Sequence, residues 1–245
     1  MQPLVLYLEK NYRQNEDSLL DVLNRIRTNQ VTHTMIEKLE EKMEYITNDE
    51  FHTTKLFTHN VDVDAMNDLH LQQIETPSKV YAMEGYGDKR VVSSIKRGCL
   101  APETLELKVG AAVMFVKNNP IKGYVNGTLG EVVDFNDEGA PIVQLANGKE
   151  IVATSENWSM KDGDDVLGEI NQIPLRLAWA ITIHKSQGMS LDAAEIDLRK
   201  CFLPGMGYVA LSRVRTFEGM NLKGFNPMAL QVDKDVLAFD KTIKK

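Results

Sequence analysis

Four short β-rich runs follow one another closely between residues 105 and 172, and the segments on either side of them have a different pattern of apolar residues. The runs are AAVMFVKN, GTLGEVVDF, APIVQLA and KEIVATS, and the breaks between them are Asn118-Asn119-Pro120, Asp137-Glu138-Gly139 and Asn147-Gly148. Asn-Gly between two β runs is the strongest short-range hairpin signal. Several short strands at close spacing predict a small all-β barrel.

The flanks of this block predict an α/β domain with a parallel sheet. Before it, KLFT predicts a strand, a helix carries Val61, Ala65, Met66 and Leu69, and VYAM (residues 80–83) predicts the next strand. After it, LAWAITIH is a near-continuous apolar run, as in a strand buried on both faces. AAEIDL and MNLKGF then predict strands, and YVALSRVR and DKDVLAFDKTI predict helices. The barrel is therefore predicted as an insertion into the α/β domain.

The first fifty residues predict two helices. Asn15 is a plausible N-cap for a helix in which Leu19, Leu20, Leu23 and Ile26 recur at helical spacing. Thr34 and Glu37 form a capping-box pair for a second helix, whose apolar face carries Met35, Ile36, Leu39, Met43 and Ile46. We predict a helical segment over residues 1–49, the α/β domain over 50–104 and 173–245, and the barrel over 105–172.

Composition limits the function classes. The net charge is 28 − 35 = −7, and the barrel block alone has five Lys against eleven Asp and Glu, so a broad polyanion-binding face is excluded. The sequence has no apolar stretch of about 18 residues that would span a membrane. The start MQPLVLYLEK lacks the basic region of a secretory signal, and Cys99 and Cys201 lack metal-site spacing. We expect a cytoplasmic chain with reduced thiols.

Several catalytic signatures are missing from the sequence. It has no G-x-x-x-x-G-K-[ST] phosphate loop, no apolar run ending in the Asp-Glu pair that holds Mg²⁺, and no cysteine and histidine cluster for a metal. The five histidines are scattered. No metal site is expected in this chain.

Two segments carry candidate chemistry. AITIHKSQGMSLD (residues 180–192) is an apolar strand that ends in small polar residues, and we expect this loop to lead into a helix N-terminus that attracts phosphate or another anion. YVALSRVRT (residues 208–216) places Arg213 and Arg215 at the end of a short helix anchored by Tyr208, Val209 and Leu211. An arginine there can project into a phosphate site or simply complement the helix dipole.

Together these segments resemble motifs V and VI of superfamily I DNA helicases, most closely the Pif/RecD branch. ITIHKSQG is followed by GYVALSRVR, the N-terminal YLEKNYRQ resembles motif IV, and LFTHNVDVDAMN resembles the segment after it. LELKVGAAVMFVKNN and GYVNGTLGEVVDF resemble the start of the SH3-like barrel inserted in this branch. The resemblance implies a RecA-like (P-loop NTPase-type) second helicase domain interrupted by that barrel.

The resemblance also implies roles for individual residues. Arg213 matches the motif VI arginine that stabilises the transferring phosphoryl group, and Arg13 matches the motif IV arginine that reaches the γ-phosphate. Gln187 and Gly188 match positions facing the nucleotide cleft. The positions that match contacts to single-stranded DNA are Thr182, His184, Lys185, Ser186, Thr58 and Asn60. The implied cofactors are ATP and Mg²⁺, with the Mg²⁺ ligands outside this chain.

The first RecA-like domain, with its phosphate loop, has no counterpart in this sequence. We therefore expect a piece of an ATP-dependent helicase, 5′-to-3′ by the resemblance, that is inactive without that partner domain. Its pathway, for instance DNA repair or recombination, stays open.

Two alternatives remain. One is a non-enzymatic adaptor whose barrel binds a peptide through Phe115, Tyr124, Phe135 and Trp158, although these rings are equally expected in a core. The other is a subunit of a helicase-nuclease complex, which would carry the same motifs.

Overall fold

A computed structural model describes residues 17–43 and 53–243, which form two compact units. One unit comprises residues 1–60 and 181–245, and the other comprises residues 61–180. The division into these two units does not test the domain boundaries predicted at 49/50, 104/105 and 172/173, which stay predictions. Among the described helices, none is long and apolar enough to cross a membrane.

The elements follow one another along the chain in a mixed order. The helices are α1 (Asp17–Arg27), α2 (His33–Glu41), α3 (Asn60–Gln73), α4 (Lys89–Gly98), α5 (Met206–Leu211) and α6 (Lys234–Ile243), with a 3-10 turn at Pro227–Leu230. The strands are β1 (Thr54–Phe57), β2 (Lys79–Ala82), β3 (Glu84–Gly87), β4 (Thr104–Leu107), β5 (Ala112–Phe115), β6 (Leu129–Phe135), β7 (Pro141–Leu145), β8 (Glu150–Val152), β9 (Glu156–Asp162), β10 (Asp165–Gln172), β11 (Leu175–Leu177), β12 (Ala180–Thr182), β13 (Ala194–Leu198) and β14 (Met220–Phe225).

The two N-terminal helices form as predicted, with one change at a cap. Leu19, Leu23 and Ile26 of α1 are buried, which confirms the apolar face read from the sequence. The capping hydroxyl of α2 belongs to Thr32, whose Oγ1 accepts a hydrogen bond from the Met35 amide at 3.4 Å. The prediction of Thr34 as the cap is wrong, because the helix already begins at residue 33. Met43 follows the end of α2, and Asn15 and Ile46 lie outside the described residues.

A four-stranded sheet of order β12-β1-β13-β14 forms the core of the first unit. β1 pairs parallel with β13, and β13 pairs parallel with β14, with Leu56 opposite Ile196 and Ile196 opposite Leu222. All three side chains are buried, and they alternate along their strands with the less buried polar residues Lys55, Glu195 and Lys223.

The run LAWAITIH does not form one strand. Only Ala180–Thr182 joins this sheet, while Leu177 belongs to β11 and pairs antiparallel with β5. The apolar run reflects burial in two different sheets, so the prediction of a single buried strand is wrong.

The four predicted β-rich runs form β5, β6, β7 and β8, which together with β11 make a five-stranded antiparallel sheet of order β11-β5-β6-β7-β8 in the second unit. The predicted Asn147-Gly148 hairpin is confirmed: it joins β7 to β8, and Gly148 takes a φ of +80° that an L side chain rarely adopts. Phe115 and Tyr124 stack in the core of this unit with ring centroids 4.0 Å apart.

A half-buried polar cluster fixes the loop after β5. The Glu156 carboxylate accepts hydrogen bonds from Asn119 Nδ2 and Lys122 Nζ at 2.8 Å, and from the Tyr124 hydroxyl at 3.1 Å. Burial acts to raise the pKa of Glu156, but the hydrogen bonds from Lys122, Asn119 and Tyr124 outweigh it and hold the pKa below its ordinary value. This cluster anchors the loop to β9.

The strand predicted at residues 80–83 is real, but its place in a parallel sheet is wrong. β2 pairs antiparallel with β4, with Val80 opposite Glu106. A further sheet of order β3-β10-β9 packs against α4, which begins at the capping side chain of Asp88. Gly168 permits this approach, because a Cβ atom there would meet the Val91 side chain.

Candidate functional site

The polar segment after β12 forms a tight turn over residues 183–188. The Ser186 amide donates to the Thr182 carbonyl at 3.0 Å, and the Ser186 hydroxyl donates to the Ile183 carbonyl at 2.7 Å. Thr182 Oγ1 accepts from the Lys185 amide at 3.3 Å, and Gly188 takes a φ of +87°. The chain continues to β13 without an intervening helix, so the expected helix N-terminus is wrong.

This geometry divides the predicted residues of the turn into two groups. Thr182 and Ser186 are buried, and their hydroxyls are used by the turn's own backbone. His184, Gln187 and Gly188 are exposed, and Lys185 is half-buried. The first group shapes the turn, and the second group offers its surface to solvent or a ligand.

The end of β1 lies beside the start of this turn. The Ile183 amide donates to the Phe57 carbonyl at 2.9 Å, which places Thr58 next to the turn. Thr58 is buried, and its hydroxyl lies 2.7 Å from Nδ1 of the exposed His59. Asn60 begins α3, and its side chain lies outside what the structure describes. The structure thus brings together two segments that are more than 120 residues apart in sequence.

Arg213 is the most constrained of the predicted residues. It lies just after α5, which ends at Leu211 with Ser212 as its C-cap, and the residue is only 6% exposed. The Arg213 Nε donates to the Val209 carbonyl at 2.8 Å, and its Nη2 donates to the Ser212 hydroxyl at 2.6 Å. The guanidinium therefore folds back onto the last turn of α5, as the helix-dipole alternative predicts, and its reach to a phosphate site stays a prediction.

The remaining donors of Arg213 reach the turn after β12. Nη1 donates to the Ser186 carbonyl at 3.4 Å and to the Met189 carbonyl at 3.3 Å. The Arg213 carbonyl in turn accepts from the Leu191 amide at 2.9 Å. One side chain therefore cross-links the two segments that the sequence singled out, as a planar fork with several donors is able to do.

Arg215 differs from Arg213 in its surroundings. Its Nη1 lies 3.1 Å from the Asp192 carboxylate, and both side chains are largely exposed. An ion pair in water contributes little to stability. Arg13, the other predicted catalytic arginine, lies outside the described residues.

Two residues that sequence reasoning did not single out have defined positions. The buried Asn67 makes a reciprocal pair with Ala180, donating to its carbonyl at 2.9 Å and accepting from its amide at 3.0 Å. Phe202 lies exposed in the loop after β13, with its ring centroid 5.0 Å from that of His59. The signal for Asn67 was its place at the end of LFTHNVDVDAMN, and the signal for Phe202 was an aromatic residue after Arg199 and Lys200.

Charge at this edge of the sheet is partly paired. Hydrogen bonds from Arg199 Nη2 at 2.6 Å and Nε at 3.0 Å hold the pKa of the Asp197 carboxyl below its ordinary value.

Among residues 17–43 and 53–243, no group of three acidic, histidine or cysteine side chains is arranged to hold a metal ion.

Residues 91–135 match a family model described as the 2B domain of DNA helicase Pif1. The chain is 34% identical to an ATP-dependent DNA helicase Pif1 from Psychrobacter, in an alignment that covers 98% of this chain and 45% of the relative. The structure of unliganded Pif1 from Bacteroides superposes with a TM-score of 0.82 at 33% identity, covering 96% of this chain and 56% of that one. Bacteroides Pif1 in complex with ADP-AlF3 and single-stranded DNA gives a TM-score of 0.64 at 34% identity, covering 96% and 56%. The chain thus spans about half the length of the relatives it matches.

Proposed function

We propose that the chain is the C-terminal region of a Pif1-type helicase and that it supplies the arginine side of an ATP cleft and part of a single-stranded DNA track. The relatives confirm the predicted fold class, a RecA-like α/β domain with a parallel sheet and a small antiparallel β insertion. The whole protein is proposed to be an ATP-dependent DNA helicase.

The observation that carries the proposal is the position of Arg213 between two segments. Its guanidinium bonds the carbonyls of Ser186 and Met189 in one segment and that of Val209 in the other. A residue that hydrogen-bonds both to the DNA-facing turn and to the helix on the nucleotide side is suited to couple DNA binding to nucleotide binding. In phosphoryl transfer, catalysis comes mainly from positioning and charge stabilisation, which an arginine provides without forming a covalent bond.

We assign the DNA track to the turn and to the end of β1. His184 and Lys185 offer donors to backbone phosphates, while Thr182, Ser186 and Thr58 shape the surface beneath them. Asn60 is assigned to the DNA track as well, and this assignment rests only on the sequence motif. The complex of Bacteroides Pif1 with single-stranded DNA supports this choice of ligand.

For the nucleotide, we assign Gln187 and Gly188 to the cleft together with Arg213 and Arg13. The sequence lacks a phosphate loop, so the loop and the Mg²⁺ ligands are proposed to come from another RecA-like domain of the same protein. Bacteroides Pif1 with ADP-AlF4 supports nucleotide binding in this family. The direction and a role in repair or recombination are proposals from the resemblance, and a cytoplasmic location is a proposal from the two cysteines.

The adaptor alternative loses support from the position of its aromatic rings. Phe115 and Tyr124 are buried and stacked on each other, so they line no groove. The second alternative, a subunit of a helicase-nuclease complex, shares every feature of the site and differs only in its partners.

ATP hydrolysis by the isolated chain and by the full-length protein tests the proposal. We expect no turnover above a blank for the isolated chain, with or without oligothymidine, and DNA-stimulated turnover for the full-length protein. DNA-stimulated turnover by the isolated chain that Arg213→Ala abolishes would show that the chain holds a complete site and would refute the division of the cleft.

A further inference from the structure

The loop over residues 199–205 lies at the same sheet edge as the proposed DNA-contacting segments. β1 and β13 run parallel with Leu56 opposite Ile196, so the chain leaves both strands on the same side. The Ile183–Phe57 hydrogen bond brings the turn after β12 to that edge as well. The segments that follow β1, β12 and β13 therefore lie at the same edge of the sheet.

At this edge Phe202 presents an apolar ring to solvent. Phe202 is 48% exposed, its neighbour Leu203 is similarly exposed, and its ring is tilted by 38° against the His59 ring at 5.0 Å. Exposing an aromatic ring forgoes the stabilisation that its burial would give, about 1.5–3 kcal/mol. The exposed part of the Phe202 ring, next to the His59 ring, is an apolar surface on which a flat ligand group can stack.

The backbone on either side of Phe202 is held in place. The side-chain amide of Asn226 donates to the carbonyls of Arg199 at 3.1 Å and Cys201 at 2.8 Å. Cys201 is buried, and the Gly205 amide donates to the Gln231 carbonyl at 2.8 Å. A ring on a fixed loop loses little conformational entropy when a ligand stacks on it.

The charges at the edge favour an anionic strand with flat groups. Lys200 is exposed and Lys185 is half-buried, while the acidic Asp197 is already paired with Arg199. Proteins that bind single-stranded nucleic acid combine such cations along the backbone with aromatic rings on which bases stack. An apolar peptide would use the ring but would gain nothing from the lysines.

We propose that Phe202, backed by His59, is a base-stacking platform on the single-stranded DNA track. This inference rests on the proposed function, because it adds a base contact to a track otherwise made of phosphate contacts. Stacking of one base on an aromatic ring corresponds to a loss of about 5- to 150-fold in affinity when the ring is removed.

The test is a fluorescence anisotropy titration of the full-length protein with two labelled probes of equal length, oligothymidine and an abasic oligonucleotide. We expect Phe202→Ala and Phe202→Leu to bind oligothymidine at least about five-fold more weakly, and Phe202→Trp to bind it as the parent does. All variants should bind the abasic probe equally, because it has no base to stack. Phe239→Ala, which removes an exposed ring from α6, is the matched control and should change neither affinity.

Three outcomes would overturn the platform. They are an unchanged oligothymidine affinity in Phe202→Ala, an equal loss with the abasic probe, or full affinity in Phe202→Leu, which has apolar volume but no ring. Failure of the parent protein to bind oligothymidine at all would instead refute the proposed function. The melting temperature of each variant shows whether the loop has kept its fold.

Discussion

Replacing Arg213 is predicted to damage both turnover and stability, and the structure separates the two effects. In Arg213→Ala the Met189 carbonyl loses its donor, whereas the Ser186 carbonyl still accepts from the Met189 amide and the Val209 carbonyl still accepts from the Ser212 hydroxyl. One buried carbonyl without a partner costs about 1–3 kcal/mol. With the lost packing of a buried side chain, we expect a total destabilisation of about 2–4 kcal/mol.

The effect on catalysis is expected to be much larger than this. An arginine that stabilises a transferring phosphoryl group contributes about 10³–10⁵ in turnover. Arg213→Lys keeps the positive charge but lacks the planar fork, so it should recover part of the stability and almost none of the turnover.

The assay is steady-state ATP hydrolysis by the full-length protein, with melting temperature and oligothymidine affinity measured on the same samples. The result that would refute the reasoning is an Arg213→Lys protein that melts like the parent and keeps more than about a tenth of its turnover. Loss of turnover in Arg215→Ala would show that Arg215, and not Arg213, is the catalytic arginine of this segment.

Three further predictions concern other parts of the chain. Arg215→Ala should lower the melting temperature and the turnover only slightly, because its ion pair is exposed and contributes at most about 1 kcal/mol. Gly207→Ala should destabilise the chain by about 1–3 kcal/mol or more in urea unfolding, since the new methyl group would meet the Ala229 carbonyl. Glu156 has a lowered pKa in the folded state, so its contribution to stability is present above the ordinary value of 4.5 and is lost as the pH falls through the lowered one. Glu156→Gln should therefore flatten the acid limb of a plot of melting temperature against pH, whereas Glu150→Gln, an exposed control, should leave that limb steep.

The sequence predicted well those helices, strands and turns that are determined by residues close together in the chain. The Asn147-Gly148 hairpin, the strands β13 and β14 and the helix α6 all appear at the residues expected, because turn residues and apolar spacing act over a few positions. The cap of α2 was displaced from Thr34 to Thr32, since two threonines two residues apart both fit an N-cap and only the backbone decides between them.

Pairing partners were harder to predict than the strands themselves. The strand around Val80 was correctly read as β structure but assigned to the wrong sheet, and the run beginning at Leu177 was read as one strand although it divides between two sheets. An apolar run records that a strand is buried and not which neighbour buries it. β3 and β9 were missed as strands because their side chains are largely exposed and lack an apolar pattern.

For the site, the sequence predicted which segments carry the chemistry, but it did not predict the state of their side chains. The resemblance gave Thr58 and the turn after β12 a common role in contacting DNA, and the Ile183–Phe57 hydrogen bond, which places them side by side, was not predicted. The burial of Arg213 was not predictable, because two of its acceptors are the backbone carbonyls of Ser186 and Met189, which lie more than 20 residues earlier and carry no sequence signal. The same holds for Phe202, whose exposure depends on the loop that Asn226 anchors.

The central claim is that Arg213 couples the DNA-facing turn to the nucleotide, and coupling is measured directly as a change in one affinity caused by the other ligand. The measurement is the oligothymidine affinity of the full-length protein with and without ADP and aluminium fluoride, in the parent and in Arg213→Lys. The account predicts that the nucleotide changes the parent's affinity by about five-fold or more and leaves that of Arg213→Lys unchanged. An Arg213→Lys protein that binds both ligands and shows the same ratio as the parent would contradict it.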